Sequence, residues 1–156
     1  MTRALRQSTA ALAVIRRQRD GRTEWLAQWN DRWQRYHFVG GHKHDDETFR
    51  QCMMREIGEE LGMAAATGCA VAEQPLAHLD FVAWSEGAGE DTHYVIELFD
   101  VSLVGDAVEL QAAAAPENRW LTDDHIRNGL AADGRPVSET MRRVLAEADL
   151  LPATNE

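Results

Sequence analysis

The chain has 156 residues, 44% of them hydrophobic, which is ample for one compact core; at this length folding buries roughly 70% of the unfolded surface. Sixteen basic against 26 acidic side chains leave a formal net charge of −10, which argues against general electrostatic binding to DNA or RNA. No apolar run approaches the length of about 18 residues that a membrane span needs.

From the N-terminus, Ser8 to Arg16 is a β-prone run. Its apolar part, Ala10 to Ile15, is cut at once by Arg16 and Arg17, so it reads as a strand rather than a signal peptide. Asp20-Gly21 marks a hairpin turn, and Glu24 to Trp29 resumes as a strand. Asn30 to Trp33 breaks it, and Tyr36 to Val39 leads into Gly40-Gly41. A helix is expected from about Thr48 to Leu61, with Asp45 or Asp46 as its N-cap and Gly62 at its left-handed end. Pro75 to Trp84 reads as a strand, Ser85 to Asp91 as a turn-rich loop, and His93 to Leu103 as the strongest later strand. Gln111 to Pro116 is Ala-rich and carries no signal. Asn118 to Thr122 precedes a short helix near Asp123 to Asn128. Val137 to Leu150 has helical periodicity with Ser138 as cap, and Pro152 to Glu156 reads as a loose tail. Without repeats or a linker, one domain over 1–156 is expected, with its core at about 9–150. The two cysteines, Cys52 and Cys69, form no metal-binding pair, and a reduced, cytoplasmic setting follows.

The chemistry is concentrated in residues 41–63, GHKHDDETFRQCMMREIGEELGM. On a helix with Glu56 at zero, Glu60 falls near about +40° and Glu59 near about −60°, so the three carboxylates share one arc. Met54, Ile57 and Leu61 form a separate apolar stripe that can pack on a sheet. A solvated acidic face is the common fate of such residues. Here, however, like charges one turn apart repel, and they sit toward the end of the helix where the macrodipole disfavours anions. A cluster placed against both effects points to a cation. Hard oxygen donors, without Cys or His on the helix, suit Mg²⁺ or Mn²⁺ rather than zinc. Arg55 is placed to hold Glu56. A net acidic protein can then handle a phosphorylated ligand through its metal.

Gly41, five residues, Glu47, seven residues, then Arg55-Glu56-Ile57-Gly58-Glu59-Glu60-Leu61-Gly62-Met63 resembles the complete signature of the Nudix hydrolases. The resemblance implies a mixed α/β fold, a three-layer α/β/α sandwich with a mixed central β-sheet and a loop-helix-loop catalytic motif. It implies hydrolysis of a nucleoside diphosphate linked to another moiety, NDP-X, by metal-activated water. By matching position, Glu56, Glu59 and Glu60 bind the metal and Arg55 orients Glu56. The main-chain carbonyl of Gly40 is a further ligand, Glu47 binds through water or braces the loop, and Gly41 permits a tight turn. The general base stays open among Glu97, Glu90, Glu117 and Glu56; Glu97 resembles in placement a Glu used by MutT-like triphosphatases.

Outside the motif, Arg32 and Arg35 are candidates for substrate-phosphate contacts. Trp29 and Trp33 flank the Asn30 to Arg32 break; such tryptophans are more often core, and Trp33 is the candidate for stacking a nucleobase. His37, His42 and His44 read as solvated loop histidines or phosphate contacts. Val39 stands where many Nudix chains have proline, which extends a strand and loosens any subfamily assignment. The expected partner is a nucleotide-derived small molecule, with no membrane; the resemblance also allows a homodimer. A catalytically silent binding or sensing module is the alternative reading. Such a module is expected to have lost a metal carboxylate, and this chain retains each one. Nucleoside triphosphates, ADP-sugars, dinucleotides and NADH all stay open as substrates, and allylic-diphosphate isomerisation has no support in the motif.

Overall fold

The computed structural model describes residues 4–62, 68–105 and 115–151. Met63, Gln111 to Ala114 and the tail from Pro152 lie outside the described residues. In chain order the strands are β1 Arg6–Val14, β2 Arg16–Arg19, β3 Arg22–Asn30, β4 Arg35–His42, β5 Cys69–Val71, β6 Ala77–Ser85, β7 Glu90–Leu103 and β8 Asn118–Thr122. Helix α1, Phe49–Leu61, follows β4, and α2 (Asp123–Asn128) and α3 (Glu139–Glu147) follow β8. The sheet runs β2-β3-β4-β1-β7-β5, with β6 also on β7 and β8 also on β3. Only β1 and β7 pair in parallel; the other ladders are antiparallel, which makes the sheet mixed.

Strand alternation builds the two faces. Ala10, Leu12 and Val14 join Tyr94, Ile96 and Leu98 in one core, which α2 and α3 cover through Ile126, Met141, Val144 and Leu145. Ala11, Ala13 and Ile15 join Phe99 and Val101 in the other, which α1 covers through Cys52, Met53, Ile57 and Leu61. A period of two thus gives a central sheet buried on both sides and the α/β/α layering. Val39 is fully buried in the second core, as a strand residue should be. Both cysteines are buried thiols. Among the described residues no helix is long and apolar enough to cross a membrane.

Several local expectations change. The run from Ser8 to Arg16 divides into β1 and β2 at Ile15, whose carbonyl still accepts from Leu26 N at 2.9 Å. Asp20 and Gly21 have φ of 53° and 76°, the geometry of a two-residue hairpin turn. β4 continues through Gly40 and Gly41 to His42, so His37 and His42 are strand residues rather than loop ones. The Ser85 to Asp91 loop shortens to a tight β6–β7 connection, and β5 lies where no strand was predicted. α3 is shorter than the Val137 to Leu150 pattern, though Ser138 does cap it, accepting from Met141 N.

The N-cap of α1 is Thr48, not Asp45 or Asp46. Its hydroxyl accepts from Gln51 N at 3.1 Å while the Gln51 side chain accepts from Thr48 N at 2.8 Å. This reciprocal pair satisfies two helix-end donors, and a lone Asp farther upstream cannot reach both. Gly62 ends the helix at φ 67° as expected. Thr48→Ala should therefore destabilise the fold by about 1 kcal/mol, read as a lower urea midpoint at unchanged m-value.

Candidate active site

α1 carries no acidic residue in its first turn and no basic one in its last, so its macrodipole does nothing to favour Glu59 and Glu60. Arg55 offsets much of this charge. Its Nη1 donates to Glu56 at 2.9 Å and to both oxygens of Glu59 at 3.3 Å. Nη2 donates to Glu47 at 2.7 Å and to the main-chain oxygen of His42 at 3.0 Å, and Nε donates to Glu47 at 3.1 Å. Glu47 in turn accepts from His44 N at 2.9 Å. The Arg55 bonds, then this main-chain bond, pull the Glu47 carboxyl down to about 2, and the same carboxylates push Arg55 up from its ordinary value. Glu47 is thus a brace between the loop and the helix.

Glu56 is buried. A side chain on Gly41 would place its Cβ 2.6 Å from Oε1 and 2.8 Å from Oε2 of Glu56. Gly41 was expected to permit a turn; instead it lies within β4 and leaves room for that carboxylate. The backbone need for glycine falls one residue earlier. Gly40 has φ 149°, and a Cβ there would lie 2.3 Å from the Ala11 carbonyl oxygen.

Glu60 behaves differently from its neighbours. Burial first, then the charges of Glu56, Glu59 and Glu117, raise its pKa. Glu60 also lines a cavity of about 450 Å³, with Gly40, Gly41, Arg32, Trp33 and Arg35. The structure therefore brings Glu60 and the end of β4 to one space with the Asn30 to Arg35 segment, while Glu47, Arg55, Glu56 and Glu59 do not line it. Trp33 and Trp29 both stand in its wall, and Trp29 is also packed on the core, meeting Tyr36 edge-on at 5.0 Å. Arg35 pairs with Glu86 at 2.9 Å, while Arg32 is exposed.

Glu97 does not line this cavity, and neither do Glu90 and Glu117. It is placed by register: Ala11 pairs with Gly41 on one side and with Glu97 on the other. Glu97 and Gly41 thus share a row on the α1 face, roughly 10 Å apart at ordinary strand spacing. Its carboxylate meets His78 Nδ1 at 2.8 Å. Glu90 opens β7, paired with Ser85, whereas Glu117 lies close enough to repel Glu60.

One contributor escaped the sequence, and another, His37, was placed there in a loop. Gly87, in the β6–β7 turn, lies flat on the Trp33 indole; a Cβ there would come within 2.7 Å of the ring. His37 lines the cavity, and its remaining exposed surface opens into that space. Burial, outweighing the effect of a backbone hydrogen bond at Phe38, pushes its pKa down to about 4, so the imidazole is neutral near pH 7. His42 meets Ser8 Oγ at 3.2 Å nearby.

Hard carboxylate oxygens grouped on one helix face fit a divalent cation in donor type and charge. Among the described residues, no three His, Cys, Asp or Glu are already closed into a metal site. Glu56, Glu59 and Glu60 are the groups that could hold one.

The NUDIX domain family model matches residues 6–143. The chain belongs to the Nudix family. That membership agrees with the hydrolase class its motif implies. No curated protein matches the chain. Among solved structures, C. elegans Ap4A hydrolase is similar with a TM-score of 0.60 and 18% identity, over 91% of this chain and 96% of that one. A mutT/nudix family protein from Listeria innocua gives 0.61 and 15%, over 91% of each chain. The NUDIX domain of Shewanella oneidensis NrtR, solved with ADP ribose, gives 0.56 and 15%, over 92% of this chain and 86% of that one. At such identities the likeness carries the fold of this Nudix chain alone.

Two outcomes follow from the cavity wall. The His37 imidazole is protonated at about 6.5 when unfolded but only at about 4 when folded, so its contribution to stability is complete above the former and lost as pH falls toward the latter. Urea midpoints measured across this window should fall with pH, and His37→Gln should flatten that part of the profile. Gly87→Ala should displace the Trp33 indole, seen as a shifted tryptophan emission maximum with the helical circular dichroism unchanged. An unshifted spectrum would mean that the ring does not rest on Gly87.

Proposed function

We propose that this Nudix protein is a Mg²⁺-dependent pyrophosphohydrolase acting on a nucleotide-derived NDP-X substrate, with Mn²⁺ able to substitute. The observation that carries the reading is Glu60, which belongs to the motif's carboxylate group and also lines the 450 Å³ cavity. Glu56, Glu59 and Glu60, with the Gly40 carbonyl, would hold the cation, and Glu47 serves through Arg55 as a brace. When bound, such a cation neutralises pyrophosphate charge and lowers the pKa of a coordinated water.

The residues of the chain do the rest. Arg55 keeps Glu56 against Gly41, which fixes one carboxylate relative to β4. Arg32 and Arg35 stand at the cavity to meet substrate phosphates, although Arg35 must exchange its bond to Glu86 to do so. Trp33 offers a ring face for a nucleobase, and a neutral His37 can both donate and accept a hydrogen bond beside it. Glu97 is a candidate to take the proton from the attacking water, held by His78 in the same row as Gly41. Binding in this form orients the pyrophosphate bond for in-line attack and needs little covalent help. The ADP ribose bound to the NrtR NUDIX domain is an instance of the ligand class this cavity suits.

The test is hydrolysis of a panel of nucleoside triphosphates, ADP-sugars, dinucleotides and NADH, with Mg²⁺, with Mn²⁺ and with chelator, products being resolved by chromatography. Metal-dependent cleavage should appear and fall by at least about 100-fold in Glu60→Gln. A folded wild type that binds a panel member but cleaves none with either metal would make the chain a binding module instead.

A further inference from the structure

A second cavity, of about 540 Å³, opens beside the first, and Tyr94, Glu139 and Thr140 line both. Its floor is aromatic: Phe81 on β6 and Tyr94 on β7 stack at 5.3 Å with 30° between the rings. Its border is cationic, formed by Arg127 of α2 and by Arg142 and Arg143 of α3. Each of these arginines has an acidic partner: Arg127 pairs with Asp124 at 3.4 Å, Arg142 with Glu139 and Arg143 with Glu147. Among the described residues Glu139 is the acid that lines this cavity.

We propose that the two cavities form one bipartite cleft, and that the second lobe takes a phosphate-class anion on the part of the substrate remote from its pyrophosphate. The proposal rests on the reading of the first cavity as the nucleotide site. A nucleoside needs no more than one space of several hundred Å³, so a second lobe of equal size is surplus for a mononucleotide. Tyr94, Glu139 and Thr140, which line both, set the two spaces side by side within reach of one ligand.

The arginines are able to exchange partners. Arg142 pairs with Glu139, and Arg143 pairs with Glu147 at 3.0 Å, each about one turn away on the same exposed helix face. Exposed pairs of this kind are weak and readily exchanged. A phosphate, with more charge and three acceptor oxygens, competes well for the same guanidinium groups. The Arg143 guanidinium lies 5.3 Å over the Phe81 ring, which keeps this exposed side chain beside the cavity. A ligand with an apolar or planar linkage ending in a phosphate therefore finds aromatic surface first and cationic groups beyond it.

Calorimetric titration of the full chain with AMP and with adenosine bisphosphates, the second phosphate at the 2′ or the 3′ position, tests this without turnover. One bisphosphate should bind at least about tenfold more tightly than AMP. The double variant Arg142→Ala/Arg143→Ala should bring that ratio to about one, with AMP affinity kept as the sign that the first cavity is intact. Arg143→Gln alone should lower it partway, which guards against a double variant that fails to fold. Equal affinities in the wild type, or a ratio that survives the double variant, would overturn the second lobe while leaving the first cavity's reading in place. A wild type that binds neither nucleotide would overturn both.

Discussion

Arg55 joins three parts of the chain that differ in conformation: the loop through Glu47, the helix through Glu56 and Glu59, and the end of β4 through the His42 carbonyl. A planar guanidinium has five donors in fixed directions and serves these acceptors at once; an ammonium group could not. Its three partner carboxylates would otherwise repel one another beside a buried sheet. With Arg55 in place, Glu56 can be buried and the loop before the helix is tied down. Glu60 is left outside this network, and there burial first, then the neighbouring charges, raise its pKa. Where compensation by Arg55 ends, the cavity begins.

The glycines follow from the same closeness. Gly41 has no side chain because the Glu56 carboxylate occupies that space, and Gly40 has none because β4 passes against the Ala11 carbonyl. The double glycine is thus two separate steric requirements on adjacent residues, one set by the helix and one by β1. Gly87 meets a third, against Trp33, from a different hairpin. With the Arg35–Glu86 ion pair beside it, that contact joins the β6–β7 turn to the segment after β3 and completes the cavity wall.

The carboxylate helix was legible because its information is local. Spacing fixes which residues share a face, and Gly62 fixes the end. The N-cap was misplaced because three candidate residues lie within four positions, and only the reciprocal bond with Gln51 decides for Thr48. β5 escaped because three residues, Cys69–Val71, are too few to show a period; the strand exists by pairing with β7. Gly87 escaped, and His37 was read as a loop residue, for a related reason. Each acquires its place only when strands distant in sequence are brought together, and neither carries a local signal of that contact.

Charge is distributed along the cleft in a way that separates chemistry from selection. Glu60, with Glu56 and Glu59 beside it on α1, and Trp33 belong to the first cavity, Tyr94 lines both, and Arg142 and Arg143 border the second. Without a cation, an anionic ligand is repelled at the first end and attracted at the last. With a divalent cation on the carboxylates both ends favour anions, so the sign of the site changes while its shape need not. The motif can then stay the same in chains that act on different substrates. On the proposed reading, discrimination falls to lining residues the motif does not contain, among them His37 on β4, Gly87 in the β6–β7 turn and Thr140 on α3.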